Sequence, residues 1–520
     1  MASTIQLGFV KHIDYDAAVA SEDDVLNKHR QWKESMAFLV DLWQRRQALE
    51  RLVALHLRVD DAARVRTGHP KTWRQGAFNE AIPMLVFDDA AAAHDQTRFP
   101  AGPDDGETGL RRVILRCPLP AKCAETYHPG SILEKMRCET AAYVWMQRHC
   151  PGARIPHLYG FGFPNGAHFV ASLLRWPVPS DYLPIDVHDA AVTAVPTGYM
   201  VLEHFGPSLG KEMPLVIRNQ KLTEEPVKMH NLFRSVSRVL LAVARIPQPR
   251  IGAFRFNDDG TISLDNRPIT CGVFLLENDG APRTMAIDRT YTNVDQYVAD
   301  LATFHDQRFL AAPNAALDLP DCHGQMAIKT CLRAVAHHFL KDEHRSGPFA
   351  LYLSDANAAN FMVDDDWNVT GMFDLEWIIS GPVDLPRTPS WLTWESIDAI
   401  AGKGYAEFDA TRAVFMKVFK EEERRTDTGA LEDAAGSTLS SIMEDTWRSK
   451  RFWFYKSLLS TNGMDHIVRS QIIPLFSQET LAYTDVARLW CPALADVVKR
   501  KLDDRAAYLV ELADLFGRTT

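Results

Sequence analysis

The chain has 520 residues, 46% apolar and 24% charged, with 28 Gly and 29 Pro. That is ordinary globular usage and excludes a collagenous, coiled-coil or disordered protein. A formal net charge of −10 argues against a nucleic-acid coat protein and leaves small cations, or metal-bridged phosphates, as natural partners. The charge is uneven, because residues 30–74 hold ten Lys/Arg against five Asp/Glu; this segment is +5 and the remainder −15.

Residues 1–11 (MASTIQLGFVK) lack a basic stretch followed by an apolar one, so no secretory leader is expected. No apolar run nears the roughly 18 residues of a membrane span. The eight cysteines are scattered, with no pair at two-residue spacing, so a zinc ribbon or redox motif is not expected. These features predict a cytoplasmic protein with free thiols and no membrane contact.

From Ser21 to Val59 the pattern predicts a long helix or a helix pair. Ser21 stands as the cap, Asp24 lies in the first turn, and Trp32, Met36, Leu39, Val40 and Trp43 share one docking face. Ala81–Phe87 and Arg112–Leu119 are runs of strand length, separated by a long loop over 88–109. Glu134–His149 is rich in helix formers, and Tyr159–Phe163 and Tyr199–Glu203 follow as strands. Beyond 205 helices dominate, with hairpins around Asp259-Gly260 and around Asp364–Asn368; the three aspartates 364–366 read as a solvated turn, not a metal cluster. Leu494–Phe516 closes the chain as an amphipathic helix. The order predicts an α+β protein, with a small β-rich lobe followed by a larger helical one.

The window Leu351–Trp377 carries the chemistry. An apolar strand delivers Asp355, Asn360 comes five residues later, and a hairpin returns the chain to Asp374. Phosphoryl transfer from ATP asks for such a set: one carboxylate to accept or orient the acceptor's proton, and an amide oxygen and a second carboxylate to hold Mg²⁺.

Those residues resemble the aminoglycoside-phosphotransferase-like family, in its large fungal branch, which shares the protein-kinase fold. Leu353-Ser354-Asp355 through Asn360 resembles the family's catalytic loop, and Asp374-Leu375-Glu376-Trp377 its metal-binding Asp with the following x-E-W. Gly76-Ala77-Phe78-Asn79 is similar to the nucleotide loop, and Val113–Pro120, the helix carrying Glu139, and Tyr199–Glu203 match in order. The resemblance implies a two-lobed protein-kinase-like fold, with a helical extension over 1–70, a small lobe over 71–205 and a helical lobe over 206–520.

It also implies ATP and Mg²⁺ as cofactors and a small-molecule acceptor. Asp355 would be the base or positioner, and Asn360, Asp374 and Glu376 would form the metal side. Gly76, Phe78, Arg116, Glu139, Glu203 and His204 would form the nucleotide side, Arg116 standing where kinases place the phosphate-binding lysine. Two departures stand out: Leu353 replaces the usual histidine, and the nucleotide loop has one glycine.

The expected activity is ATP/Mg-dependent phosphotransfer to a hydroxyl or amine of a metabolite, with the acceptor pocket built from segments such as 288–310 and 380–470. The alternatives are a kinase-fold binding or scaffold protein, and the fold repurposed for another transfer such as aminoacyl-tRNA-dependent synthesis. For the last, the basic segment 30–74 and the run Trp447–Lys456, where cations interleave with aromatics, are the supporting features. RNA contact is the less favoured reading, since a helix with a buried stripe and snorkelling cations has the same pattern.

Overall fold

Strand pleating explains why the small lobe has two unlike faces. In the computed structural model, residues 4–88, 110–172, 181–187, 195–218, 220–426, 436–477, 479 and 481–518 are described. Strands β1 (Thr4–Gln6) and β2 (His12–Asp14) pair and lead into the helix Tyr15–Ala20. Eight further strands form one antiparallel sheet. They are β3 (Val65–Thr67), β4 (Arg74–Gln75), β5 (Asn79–Phe87), β6 (Leu110–Pro118), β7 (Leu158–Gly162), β8 (His168–Ala171), β9 (Tyr182–Ile185) and β10 (Tyr199–Glu203). Their order is β3-β5-β6-β10-β7-β8-β9, with β4 pairing β5.

On β6, Val113, Leu115 and Cys117 alternate with Ile114 and Arg116, so the pleat sends the two sets to opposite faces. The first set packs with Ile82, Met84 and Val201 under Leu42, Leu49, Leu52 and Val53 of the N-terminal helices. The opposite face carries the helix Ser131–His149, whose Met136 and Tyr143 share the main core with Phe161, Met200 and Leu202.

The segment 21–59 is a helix pair, Val25–Gln44 and Arg46–Leu57. Its cap is Asp24, which accepts from Asn27 N at 2.9 Å; Ser21 instead closes the preceding helix. The expected docking face is also rotated. Trp32 is buried as expected, but so are Asn27, Gln31, Ser35 and Leu42, while Val40 is 57% exposed; Asn27 and Gln31 donate to the carbonyl of Asn278 in the other lobe. The 88–109 loop lies outside the described residues from 89 onward.

The larger lobe starts with β11 (Lys211–Glu212) and the helix Pro226–Ala244. The hairpin β12 (Ala253–Phe256) and β13 (Ile262–Asn266) turns at Asp259-Gly260, where Gly260 has φ 82, the left-handed turn geometry that favours glycine. The segment that carries Asp355, Asn360 and Asp374 is framed by β14 (Phe349–Leu353), β15 (Phe361–Val363), β16 (Val369–Met372) and β17 (Ile378–Pro382), with β14 paired to β17 and β15 to β16. Asp364 accepts from the N–H groups of Asp366 and Asn368, so the three aspartates form the expected turn.

The helix Leu494–Leu515 folds back on the N-terminal elements. Val25 N donates to Tyr508 Oη at 3.0 Å, and Leu512 and Phe516 pack with Ala18 and Val25. No helix among the described residues is long and apolar enough to cross a membrane. The architecture is α+β, with a small β-rich lobe covered by N-terminal helices and a larger, mainly helical lobe.

Candidate active site

Arg116 leaves the inner face of β6 and meets carboxylates from both lobes. Its Nε lies 3.3 Å from Glu139 Oε1 on the helix Ser131–His149. Its Nη2 lies 2.6 Å from Asp374 Oδ1 and 3.3 Å from Glu376 Oε2. Lys135, one helical turn before Glu139 and 0% exposed, adds a second cation: its Nζ is 3.0 Å from Glu139 Oε2 and 2.5 Å from Glu376 Oε2. Asn79 completes the cluster, donating to Glu376 at 2.8 Å and accepting from Lys135 at 3.0 Å. Two cations thus face three carboxylates in a largely buried space.

Burial pushes the Asp374 carboxyl up, Arg116 opposes this and Glu376 adds to it. Burial also works against the charge on Glu376, but Lys135 and Arg116 outweigh it and hold that carboxyl down. Asp374 has φ 64, a left-handed conformation that costs a non-glycine residue roughly 1–2 kcal/mol. It is held there by its ion pair to Arg116 and by β16, which ends two residues earlier.

Asp355 follows β14 directly. Its backbone carbonyl accepts from Asn360 Nδ2 at 2.9 Å, which closes the 355–360 loop and leaves the amide oxygen of Asn360 as its remaining acceptor. Ser354 Oγ donates to Trp377 O at 2.9 Å, and Trp391 Nε1 to Ala356 O at 2.8 Å, pinning the loop on both sides of Asp355. Burial foremost, with Glu376 adding and Lys456 opposing, pushes the Asp355 carboxyl up to about 6.

Asp355, Asn360 and Asp374 line one small cavity of about 10 Å³, roughly the room of one water or ion. Asp355 also lines a larger pocket of about 330 Å³, walled by residues 351–357, 386–391, 395–397 and Lys456. Two segments were expected from the sequence to build an acceptor pocket. The 380–470 region contributes, and 288–310 does not line this pocket.

The remaining expected positions divide. Gly76 sits in the β4–β5 turn, where its N–H donates to Asn79 O at 2.8 Å; a Cβ there would make only ordinary contacts. Phe78 is buried against Trp377 and Phe274, so it anchors the turn on the core instead of presenting a ring to solvent. Glu203 ends β10 paired with Arg154 and accepting from His157 N, and His204 follows it where the chain passes between lobes.

Glu139, Asp374 and Glu376 place carboxylate oxygens within 4.8 Å of one another. Arg116 pairs with all three, and of them only Asp374 also lines the small cavity, together with Asn360; a carboxylate and an amide oxygen are hard donors of the kind that suit Mg²⁺. Lys135 was not singled out from the sequence, and Asn79 was named only as the end of the expected nucleotide loop. A Lys–Glu pair four apart on a helix reads as a solvated pair, and only the return of Glu376 makes it a buried one.

The run Trp447–Lys456 is core: Phe452, Trp453, Phe454 and Tyr455 are buried and their rings pack on one another and on Trp447. It therefore presents no open stacking platform.

The fold and site define a two-lobed protein with a carboxylate–amide–carboxylate set in the cleft. No protein-family model matches the chain, and a search of curated proteins finds no match. Among solved structures it is similar to a protein titled macrolide 2'-phosphotransferase type I, at 13% identity over 84% of this chain and 95% of that one. The TM-score is 0.33, too distant a likeness to carry any argument.

Proposed function

We propose that the protein is a phosphotransferase that uses ATP and Mg²⁺ to phosphorylate a hydroxyl or amine of a small molecule. The observation that carries this reading is the position of Asp355 between two spaces: the small cavity shared with Asn360 and Asp374, and the larger pocket that admits an acceptor. Asn360 and Asp374 are the residues that would hold the metal, and Arg116, fixed by Glu139, the one that would meet phosphate oxygens. MgATP supplies the transferable γ-phosphoryl group.

The chain's own work is orientation and proton handling. The Asp355 carboxylate takes the acceptor's proton as the acceptor oxygen forms its new bond to phosphorus, and the bond to the ADP oxygen breaks. Lys135, Asn79 and Glu376 hold the Arg116–Glu139 pair in place. Leu353, in the place of the family histidine, fills the core beneath the loop, where Ser354 and Trp391 already hold the backbone.

Nucleotide binding tests the metal side. Calorimetry with ATP is expected to show binding that strengthens with Mg²⁺ in the native protein. In Asp374→Ala the Mg²⁺-dependent part should fall by about tenfold or more. An unchanged Mg²⁺ dependence in the variant contradicts the assignment.

A further inference from the structure

The 330 Å³ pocket holds two cations and two acids, but the two cations lie deep in it and one acid is exposed. The cations are Arg387 and Lys456. Arg387 is 6% exposed, and its Nε and Nη2 are buried without a hydrogen-bond partner. Its guanidinium makes a cation–π contact with the Tyr352 ring at 5.6 Å, and the nearby Asp384 is engaged instead by His344 and Arg451. Lys456 lies over the Phe452 ring at 5.9 Å and forms no ion pair among the described residues. The acids on the same pocket are Asp355 and the exposed Glu395.

Burying an arginine fork without acceptors is costly, because desolvated N–H groups lose water and gain nothing in return. Burial accordingly lowers Arg387 to about 10 and Lys456 to about 8. A planar fork with two unused donors is shaped for an oxyanion. The volume is at the low end of small-molecule pockets, which run about 300–1,000 Å³.

We propose that the acceptor is a small hydroxylated anion, whose carboxylate or phosphate docks on Arg387 and Lys456 while its hydroxyl faces Asp355. This rests on the phosphotransfer reading for the hydroxyl end, whereas the anion end stands on the unpaired cations alone. A cationic acceptor would meet two like charges and leave the fork unsatisfied.

The test uses matched acceptors that differ only in charge: glycerol, 3-amino-1,2-propanediol, glycerate and glycerol 3-phosphate. Each is titrated against the full chain by calorimetry and then offered as acceptor with MgATP. Binding and transfer are expected for the anionic members only, and comparing glycerate with glycerol 3-phosphate tells carboxylate from phosphate. In Arg387→Gln the affinity for the preferred anion should fall at least about tenfold, and Arg387→Lys should recover part of it.

Equal or tighter binding of the neutral or cationic member overturns the proposal, as does failure of both anions to bind at millimolar concentration. Anion binding that is unchanged in a folded Arg387→Gln also overturns it. The wild-type comparison needs no variant, so a misfolded Arg387→Gln leaves the test intact. Anion binding without any nucleotide turnover sinks the phosphotransfer reading and keeps the anion pocket. Turnover that prefers the neutral acceptor does the reverse.

Discussion

Asn79 and Glu80 are neighbours on β5 and point to opposite faces of the sheet. Asn79 joins Glu376 and Lys135 in the cleft, whereas Glu80 lies opposite Cys117 on the far face, and its Oε2 has no hydrogen-bond partner. Burial raises the Glu80 carboxyl to about 7. Its folded value lies above the unfolded one, so its share of stability is intact below about 4.5 and is lost as pH rises through 7. Glu80→Gln is therefore expected to stabilise the protein by roughly 3 kcal/mol at pH 7.5 and by almost nothing near pH 4.5. Melting temperatures across that range check this, and a gain independent of pH contradicts it. Residues such as Asp355, Asn360 and Asp374 were legible because their spacing itself encodes convergence. Lys135, Arg387 and Lys456 were not, because a lone cation in a sequence carries no sign of whether the fold will bury it or leave it unpaired.

Helices and long strands were legible where periodicity is strong. The helix Ser131–His149 and the strands β5, β6 and β10 lie where composition put them. The strands β3 and β4 were missed, being too short to show a period. The helix Val25–Gln44 was placed correctly but its face was read only in part: Trp32 is buried as expected, whereas Asn27 and Gln31 are buried polar groups satisfied by a distant carbonyl.

What ties the elements together is also invisible to periodicity. Arg267, just after β13, is fully buried and pairs with Glu134 of the helix Ser131–His149 at 2.7 Å and with Glu277 of the helix Cys271–Asn278. That cluster holds the helix bearing Lys135 and Glu139 against the larger lobe. Arg267→Met leaves two buried carboxylates without their fork, and the expected loss is about 3–5 kcal/mol in urea denaturation. A loss under about 1 kcal/mol contradicts this role for the cluster.

Across the whole molecule, the two-lobed division was legible and the way its ends pack was not. Several cations of the +5 segment 30–74 are engaged close by in the fold. Arg45 pairs with Asp41, Arg66 with Glu50, and Arg64 donates to Phe87 O. The helices Val25–Gln44 and Arg46–Leu57 cover the sheet, and the C-terminal helix closes on the elements before them, by contacts too distant in sequence to leave a pattern. The −10 of the chain likewise gives no sign of the two cations, Arg387 and Lys456, in the pocket beside Asp355.

The central claim is that Asp355 stands between a metal side and an acceptor side of a phosphotransfer site. Following label from γ-phosphate-labelled ATP into small hydroxylated anions tests it most directly, in the native protein and in Asp355→Asn with an unchanged melting temperature. Mg²⁺-dependent transfer is expected from the native protein, falling about a hundredfold or more in the variant. Undiminished transfer by Asp355→Asn, or binding of MgATP by the native protein with no transfer to any acceptor, contradicts it.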